Sequence, residues 1–155
     1  VHIHKYERWW LTFGIGMLLV FLATIAFAAF ADNINPPSGL QAIDPTKVSK
    51  TPPFDHPGLR RLPDGNYEAY FVAEVFSFQP STITVPVGRK VTFYVTSPDV
   101  VHGFYIAKTD VNMMAVPGWV NSESHVFSSP GTYLLICHEY CGIGHQNMFG
   151  KIVVK

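Results

Sequence analysis

The sequence predicts an all-β sandwich or barrel preceded by a single N-terminal transmembrane helix. Three observations lead there. No charged residue occurs from Trp9 to Ala31. Beyond residue 66, short runs of aromatic and β-branched residues recur at spacings of about 8–12 residues, the pattern of a sandwich or barrel. Gly88-Arg89, Pro117-Gly118 and Pro130-Gly131 punctuate those runs, and no useful helical period follows residue 31. The 155 residues then divide into an N-terminal tail and transmembrane helix (1–31), a proline-rich linker (32–66) and a β-domain (67–155).

The uncharged run WWLTFGIGMLLVFLATIAFAAFA would reach about 34 Å as a helix, enough to cross a hydrocarbon core of about 30 Å. Trp9 and Trp10 open it, where amphipathic rings favour the lipid headgroup level. A cleaved signal peptide is the rival reading, and Ala28-Ala29-Phe30-Ala31 imitates a cleavage site. Signal peptides carry a shorter apolar core, about 7–15 residues, so length favours an anchor in lipid. Lys5 and Arg8 precede the run against only Glu7; Asp32 follows it, and the next base is Lys47. The positive-inside rule then sets the N-terminus in the cytoplasm and residues 32–155 outside.

Seven of the twelve prolines fall within 32–66. Proline removes backbone donors and disfavours helix and central strand, so this stretch is expected as an extended segment laid against a membrane partner. Asp64-Gly65 reads as the turn before order begins. The strands expected after it are 67–76, 82–87, 90–96, 103–107, 111–115, 123–127, 132–136 and 149–154. Net charge is zero, which excludes the basic surface a nucleic-acid partner needs. Residues 32–155 carry nine basic and ten acidic side chains, a net of −1, so docking must rest on local patches or apolar contact.

The chemistry concentrates in Cys137-His138-Glu139-Tyr140-Cys141-Gly142-Ile143-Gly144-His145-Gln146-Asn147-Met148, which holds the only two cysteines. A disulfide between residues four apart closes a tiny loop, gains little chain entropy and leaves His145 and Met148 unexplained. A blue-copper site would use upstream His102, one cysteine, His145 and Met148, leaving one cysteine over. Zinc could take two Cys and two His, but methionine is not a usual zinc ligand. Two coppers use every donor. Cys137 and Cys141 would bridge them, His102 and His145 would each cap one, and Met148 and a loop carbonyl would complete the set, soft sulfur suiting Cu(I) and imidazole either state.

This stretch, with Ser97-Pro98-Asp99-Val100-Val101-His102-Gly103-Phe104 upstream, resembles the CuA domain of subunit II of the haem–copper cytochrome c oxidases. The resemblance covers nearly the whole chain. It implies a cupredoxin-like Greek-key barrel with a dinuclear copper centre that takes electrons from cytochrome c. The centre passes them to the haems of subunit I for proton-pumping oxygen reduction. Carried over by position, it implies bridging Cys137 and Cys141, terminal His102 and His145, a weak Met148 and the main-chain carbonyl of Glu139. It also implies a prokaryotic plasma-membrane location with the copper domain on the periplasmic or outer side, and partners in subunit I and a small additional membrane subunit. In some relatives a glutamate matching Glu139 helps bind magnesium at the subunit I interface.

The chain departs from the mitochondrial-like pattern. It has one anchor, and Ala73-Glu74-Val75-Phe76-Ser77-Phe78 stands where those relatives are tryptophan-rich. Both features resemble the B-family, ba-type oxidases, and they leave Phe76 as the nearest counterpart of the electron-entry tryptophan. Quinol oxidases lack these ligands, so the donor is expected to be a cytochrome c. The competing readings are the CuA domain of a nitric oxide reductase and a stand-alone anchored cupredoxin. Asp99 is expected to cap a turn. His2, His4, His56 and His125 are expected as surface or packing residues, and His138 as a further candidate for the subunit I interface. Val100, Val101, Phe104, Ile143 and Phe149 are expected as an apolar shell or ordinary core beside the ligands.

Overall fold

The computed structural model describes residues 4–31 and 38–155. The first six residues of the expected linker, 32–37, and His2 lie outside the described residues.

Helix α1 (Lys5–Phe30) starts four residues before the uncharged run, with Lys5, Glu7 and Arg8 in its first turns. Its 26 residues span about 39 Å, none is buried within the chain, and the mean hydropathy of its most apolar window is 2.4. Thr12 and Thr24 donate their hydroxyls to the carbonyls of Arg8 and Val20 at 2.8 and 2.9 Å, which satisfies them in an apolar medium. The protein is therefore membrane-anchored by one N-terminal helix.

A second unit runs from Pro37 to Lys155. Its strands are β1 (Ser38–Ala42), β2 (Gly58–Arg61), β3 (Tyr67–Glu74), β4 (Ser77–Gln79), β5 (Thr82–Val85), β6 (Lys90–Thr96), β7 (His102–Ile106), β8 (Asn112–Ala115), β9 (Trp119–Val126), β10 (Gly131–Ile136) and β11 (Phe149–Val154). One sheet has the order β1-β9-β6-β3-β2, with β4 paired to β3; the other has the order β5-β11-β10-β7-β8. The β3–β6 and β5–β11 pairs are parallel and the rest antiparallel, giving the expected cupredoxin-like domain with mixed sheets.

Alternation decides which side chains face inward. Along β6, Val91, Phe93 and Val95 are fully buried while Thr92 and Tyr94 face the other way. The core between the sheets is aromatic: Phe104 meets Phe71 edge-on at 5.0 Å between ring centroids and Phe78 at 5.7 Å. Burying each such ring contributes about 1.5–3 kcal/mol.

The stretch expected as a linker is part of the fold from residue 38 onward. β1 pairs with β9, β2 pairs with β3, and a 3₁₀ turn at Pro45–Lys50 lies between them. Ile43, Val48 and Phe54 bury themselves with Val72 and Val120 against the outer face of the first sheet, where Tyr70 and Tyr94 stack at 4.9 Å. Phe54 meets Tyr70 edge-on at 5.6 Å. The prolines do not prevent this, because a 3₁₀ turn and extended cover need few backbone donors. Asp44 caps the turn by accepting from Thr46 N at 3.0 Å, and hydrogen bonds from Thr46 and Lys47 hold its carboxyl down to about 2. The extended segment thus lies on this chain's own sheet.

Candidate metal centre

Three neighbouring strands carry the expected ligands to one end of the second sheet. Register pairs Ile136 of β10 with Phe149 of β11 on one side and with Tyr105 of β7 on the other. Cys137 is the residue after β10, Met148 the residue before β11, and His102 opens β7. A backbone bond from Cys137 N to Met148 O at 3.2 Å closes the base of the loop. Inside it, His145 N donates to Gly142 O and Met148 N to His145 O, both at 3.0 Å, so the loop is a chain of tight turns. Gly103 lets β7 approach: a Cβ there would stand 2.6 Å from the backbone nitrogen of His138.

The donor atoms converge. The ligand atoms of His102, Cys137 and Cys141 lie within 4.8 Å of one another. Cys137 Sγ is 3.8 Å from Cys141 Sγ, and both thiols are free. Cys141 Sγ lies 3.6 Å from His145 Nδ1 and 3.7 Å from Met148 Sδ. Cys137 Sγ faces the main-chain oxygen of Glu139 at 3.2 Å. His102, Cys137 and Met148 are buried, while Cys141 and His145 are half-buried at the rim.

His102 tests whether a metal fits. Its Nε2 lies 2.8 Å from Asp99 Oδ1, which fixes the ring; donation from Nε2–H leaves a lone pair on Nδ1. Nδ1 is buried without a hydrogen-bond partner. Such an orphan costs about 1–3 kcal/mol unless something accepts it, and a soft metal beside two sulfurs would. The residues present therefore fit copper. Burial, and next the neighbouring Cys137, pushes the Cys141 thiol up to about 11. A metal bound there must displace a firmly held proton.

Asp99 does more than cap a turn. It accepts from Val75 N at 2.8 Å, Val100 N at 2.6 Å and Ser97 Oγ at 3.0 Å as well as holding His102. Partial burial pushes its carboxyl up, but the bonds from His102, Val75, Val100 and Ser97 outweigh that and hold it below the usual range. The readable signal was its place three residues before a ligand histidine, since such ligands pass their second nitrogen to a carboxylate.

The remaining expectations divide. Phe104 is core, but Val100, Ile143 and Phe149 are exposed and form no closed apolar shell. His56 pairs with Asp55 at 3.1 Å, and His125 pairs with Asp110 at 2.5 Å while packing edge-on against Phe127. His4 lies against Tyr6 with ring centroids 5.3 Å apart. His138 is exposed and packs beside Tyr105. Among the described residues, the potential metal cluster contains no carboxylate and the Glu139 side chain is exposed, so a magnesium ion there gains no support.

Comparison with known proteins agrees with this geometry. Residues 72–155 match the family model of the cytochrome c oxidase subunit II periplasmic domain. A protein named cytochrome c oxidase subunit 2 from Thermus thermophilus is 43% identical over 157 residues, covering 99% of this chain and 94% of that protein. Yeast cytochrome c oxidase subunit 2 (Saccharomyces cerevisiae) is 38% identical over 72 residues, 46% of this chain and 29% of that one. A chain of a haem–copper terminal oxidase dimer solved by cryo-electron microscopy superposes with a TM-score of 0.78 at 33% identity, covering 97% of this chain and 100% of that one. The periplasmic domain of cytochrome oxidase subunit II from Bradyrhizobium japonicum shares the fold, with a TM-score of 0.54 at 22% identity over 57% of this chain and 83% of that one.

Proposed function

The chain belongs to the cytochrome c oxidase subunit II family, and from that premise we propose that it relays electrons from a cytochrome c to the haems of a subunit I partner. Oxygen reduction to water, coupled to proton pumping, follows there. Copper would be held by six residues: both thiolates of Cys137 and Cys141, the imidazoles of His102 and His145, the weak thioether of Met148 and the main-chain carbonyl of Glu139. The observation that carries this is a buried His102 that offers a ring nitrogen within 4.8 Å of both cysteine sulfurs and whose Nδ1 has no hydrogen-bond partner. When bound, a copper pair accepts and releases one electron with its charge shared over two metals.

The chain's own residues make such an exchange fast. Ligands fixed on a β-scaffold move little between oxidation states, and a buried site limits the response of water. Asp99 locks the His102 ring from behind, and the Cys137–Met148 backbone bond locks the loop base. His102, Cys137 and Met148 form the dry side. Tyr140 and Ile143, 73% and 90% exposed, stand between the ligands in sequence on the wet side. With so little net charge outside the membrane, this apolar rim serves as the place where the donor docks.

The near full-length match to a bacterial relative supports the B-family, ba-type assignment. The yeast relative, by contrast, aligns over 46% of the chain. Lys5 and Arg8, in the first turns of the helix and ahead of its uncharged stretch, support a cytoplasmic N-terminus and with it a copper domain on the periplasmic or outer side of a prokaryotic plasma membrane. Stopped-flow reduction of the copper-loaded chain by reduced cytochrome c tests the relay. The cytochrome should oxidise with one-electron stoichiometry, and Cys137→Ser should abolish the reaction. Retention of the reaction in Cys137→Ser would remove the bridging assignment.

A further inference from the structure

The hairpin between β3 and β4 touches both ligand-bearing loops. Register pairs Glu74 with Ser77, so Val75 and Phe76 alone form the turn. Val75 N donates to Asp99 Oδ2 at 2.8 Å, and Asp99 Oδ1 lies 2.8 Å from His102 Nε2. The neighbouring Phe76 ring lies over the two glycines between Cys141 and His145. A Cβ on Gly142 would stand 3.0 Å from Phe76 Cε1, and one on Gly144 would stand 2.6 Å from Phe76 Cγ. Gly142 is glycine also for its backbone, with φ +132°, whereas Gly144, at φ −91°, needs only the space. The Cys141–His145 segment therefore leaves out two side chains where one aromatic ring sits.

We propose that the Val75–Phe76 turn is a positioning strap joining the two ligand loops, holding His102 through Asp99 and the Cys141–His145 segment through the Phe76 ring. This rests on the reading that the loops hold copper, but the strap itself is a property of the chain with or without metal. Phe76 is 38% exposed and its burial adds little to the core, so its packing serves the loop it covers. Without the ring, Gly142 and Gly144 are two flexible residues beside a half-buried ligand, and the segment opens more often. A turn bound to both loops also makes them move together, which keeps the separation of His102 from Cys141 and His145 constant.

The test uses the full chain in detergent, with Phe76→Ala, Phe76→Tyr, Gly144→Ala and, as an exposed control away from the strap, Leu134→Ala. The metal-free readout is the rate of Cys141 alkylation at fixed pH. The metal-bound readouts are copper transfer to a Cu(I) chelator and the copper hyperfine pattern. Losing a packed ring should raise local opening, and with it both rates, by about tenfold. Phe76→Tyr and Leu134→Ala should stay within about twofold of the parent, a spread that small contact changes produce. Gly144→Ala should match Phe76→Ala, since its methyl occupies the ring's seat. Unchanged rates in a Phe76→Ala chain with parental circular dichroism would overturn the strap. Should Phe76→Ala not fold, parental rates in Gly144→Ala would overturn it instead. If alkylation accelerates in Phe76→Ala while the parent takes up no copper, the strap stands and the copper reading fails.

Discussion

Asp99→Asn separates the electrostatic role of Asp99 from its shape. Asparagine can place its carbonyl oxygen where Oδ1 lies and keep the contacts to His102, Val100 and Ser97. Its amide group must then face Val75 N–H, a donor against a donor, so the fourth bond is lost. Each of the three kept bonds falls from charge-assisted to neutral, a difference of about 1 kcal/mol apiece, and the lost one adds about 0.5–1 kcal/mol. The carboxylate is 28% exposed, so solvent screening lowers the total to about 2–3 kcal/mol. For a domain of this size that corresponds to a fall in Tm of about 8–12 °C. The same carboxylate favours the more positive, oxidised centre, so its loss should raise the reduction potential of the copper-loaded chain by roughly tens of millivolts. Calorimetry of the metal-free chain and a redox titration of the loaded one measure the two effects. A Tm within about 2 °C of the parent, together with an unchanged potential, would refute the reasoning, because no bond to Asp99 could then be holding His102.

Phe54→Ala should cost about 3–5 kcal/mol in thermal or chemical unfolding, as for a buried core aromatic; a cost near zero would return the segment around it to the status of a linker. Met148→Leu nearly conserves volume and should cost less than about 1.5 kcal/mol, leaving copper bound but shifting its potential. Loss of all copper in that variant would show the thioether to be a principal ligand. In the metal-free chain, alkylation of Cys141 should rise about tenfold per pH unit until it levels near pH 11. Levelling near the ordinary thiol range instead would show that burial does not protect it. A thiol pKa raised by folding also means stability that is full below the unfolded value and is lost as pH rises through the folded one. The metal-free domain should therefore weaken between about pH 9 and 11.

Most of the β-domain was legible because its strands alternate and its turns carry Gly or Pro. Val91, Phe93 and Val95 announce the inward face of β6, and the ligand spacing announced which strand ends meet. The sequence was misleading where composition and packing disagree. Seven prolines hid the three apolar residues Ile43, Val48 and Phe54 that cover the first sheet. The outward Tyr70, Val72 and Tyr94 were the clue, since a sheet face exposed to water seldom carries three such residues in register. β4 and the first half of β9 went unseen because each is short or polar. The parallel pairings also had no local signal, since β3 and β6 are joined only through the intervening strands. Asp99 was readable as a turn former; its place three residues before His102 was the one signal of their contact, and the bend that makes the contact is supplied only by the folded loop.

The most direct measurement is the copper content of the reconstituted chain together with its electron paramagnetic resonance spectrum. The account predicts two coppers per chain and one unpaired electron coupled equally to both nuclei, lost when either Cys137 or Cys141 becomes serine. One copper per chain with coupling to a single nucleus would contradict it.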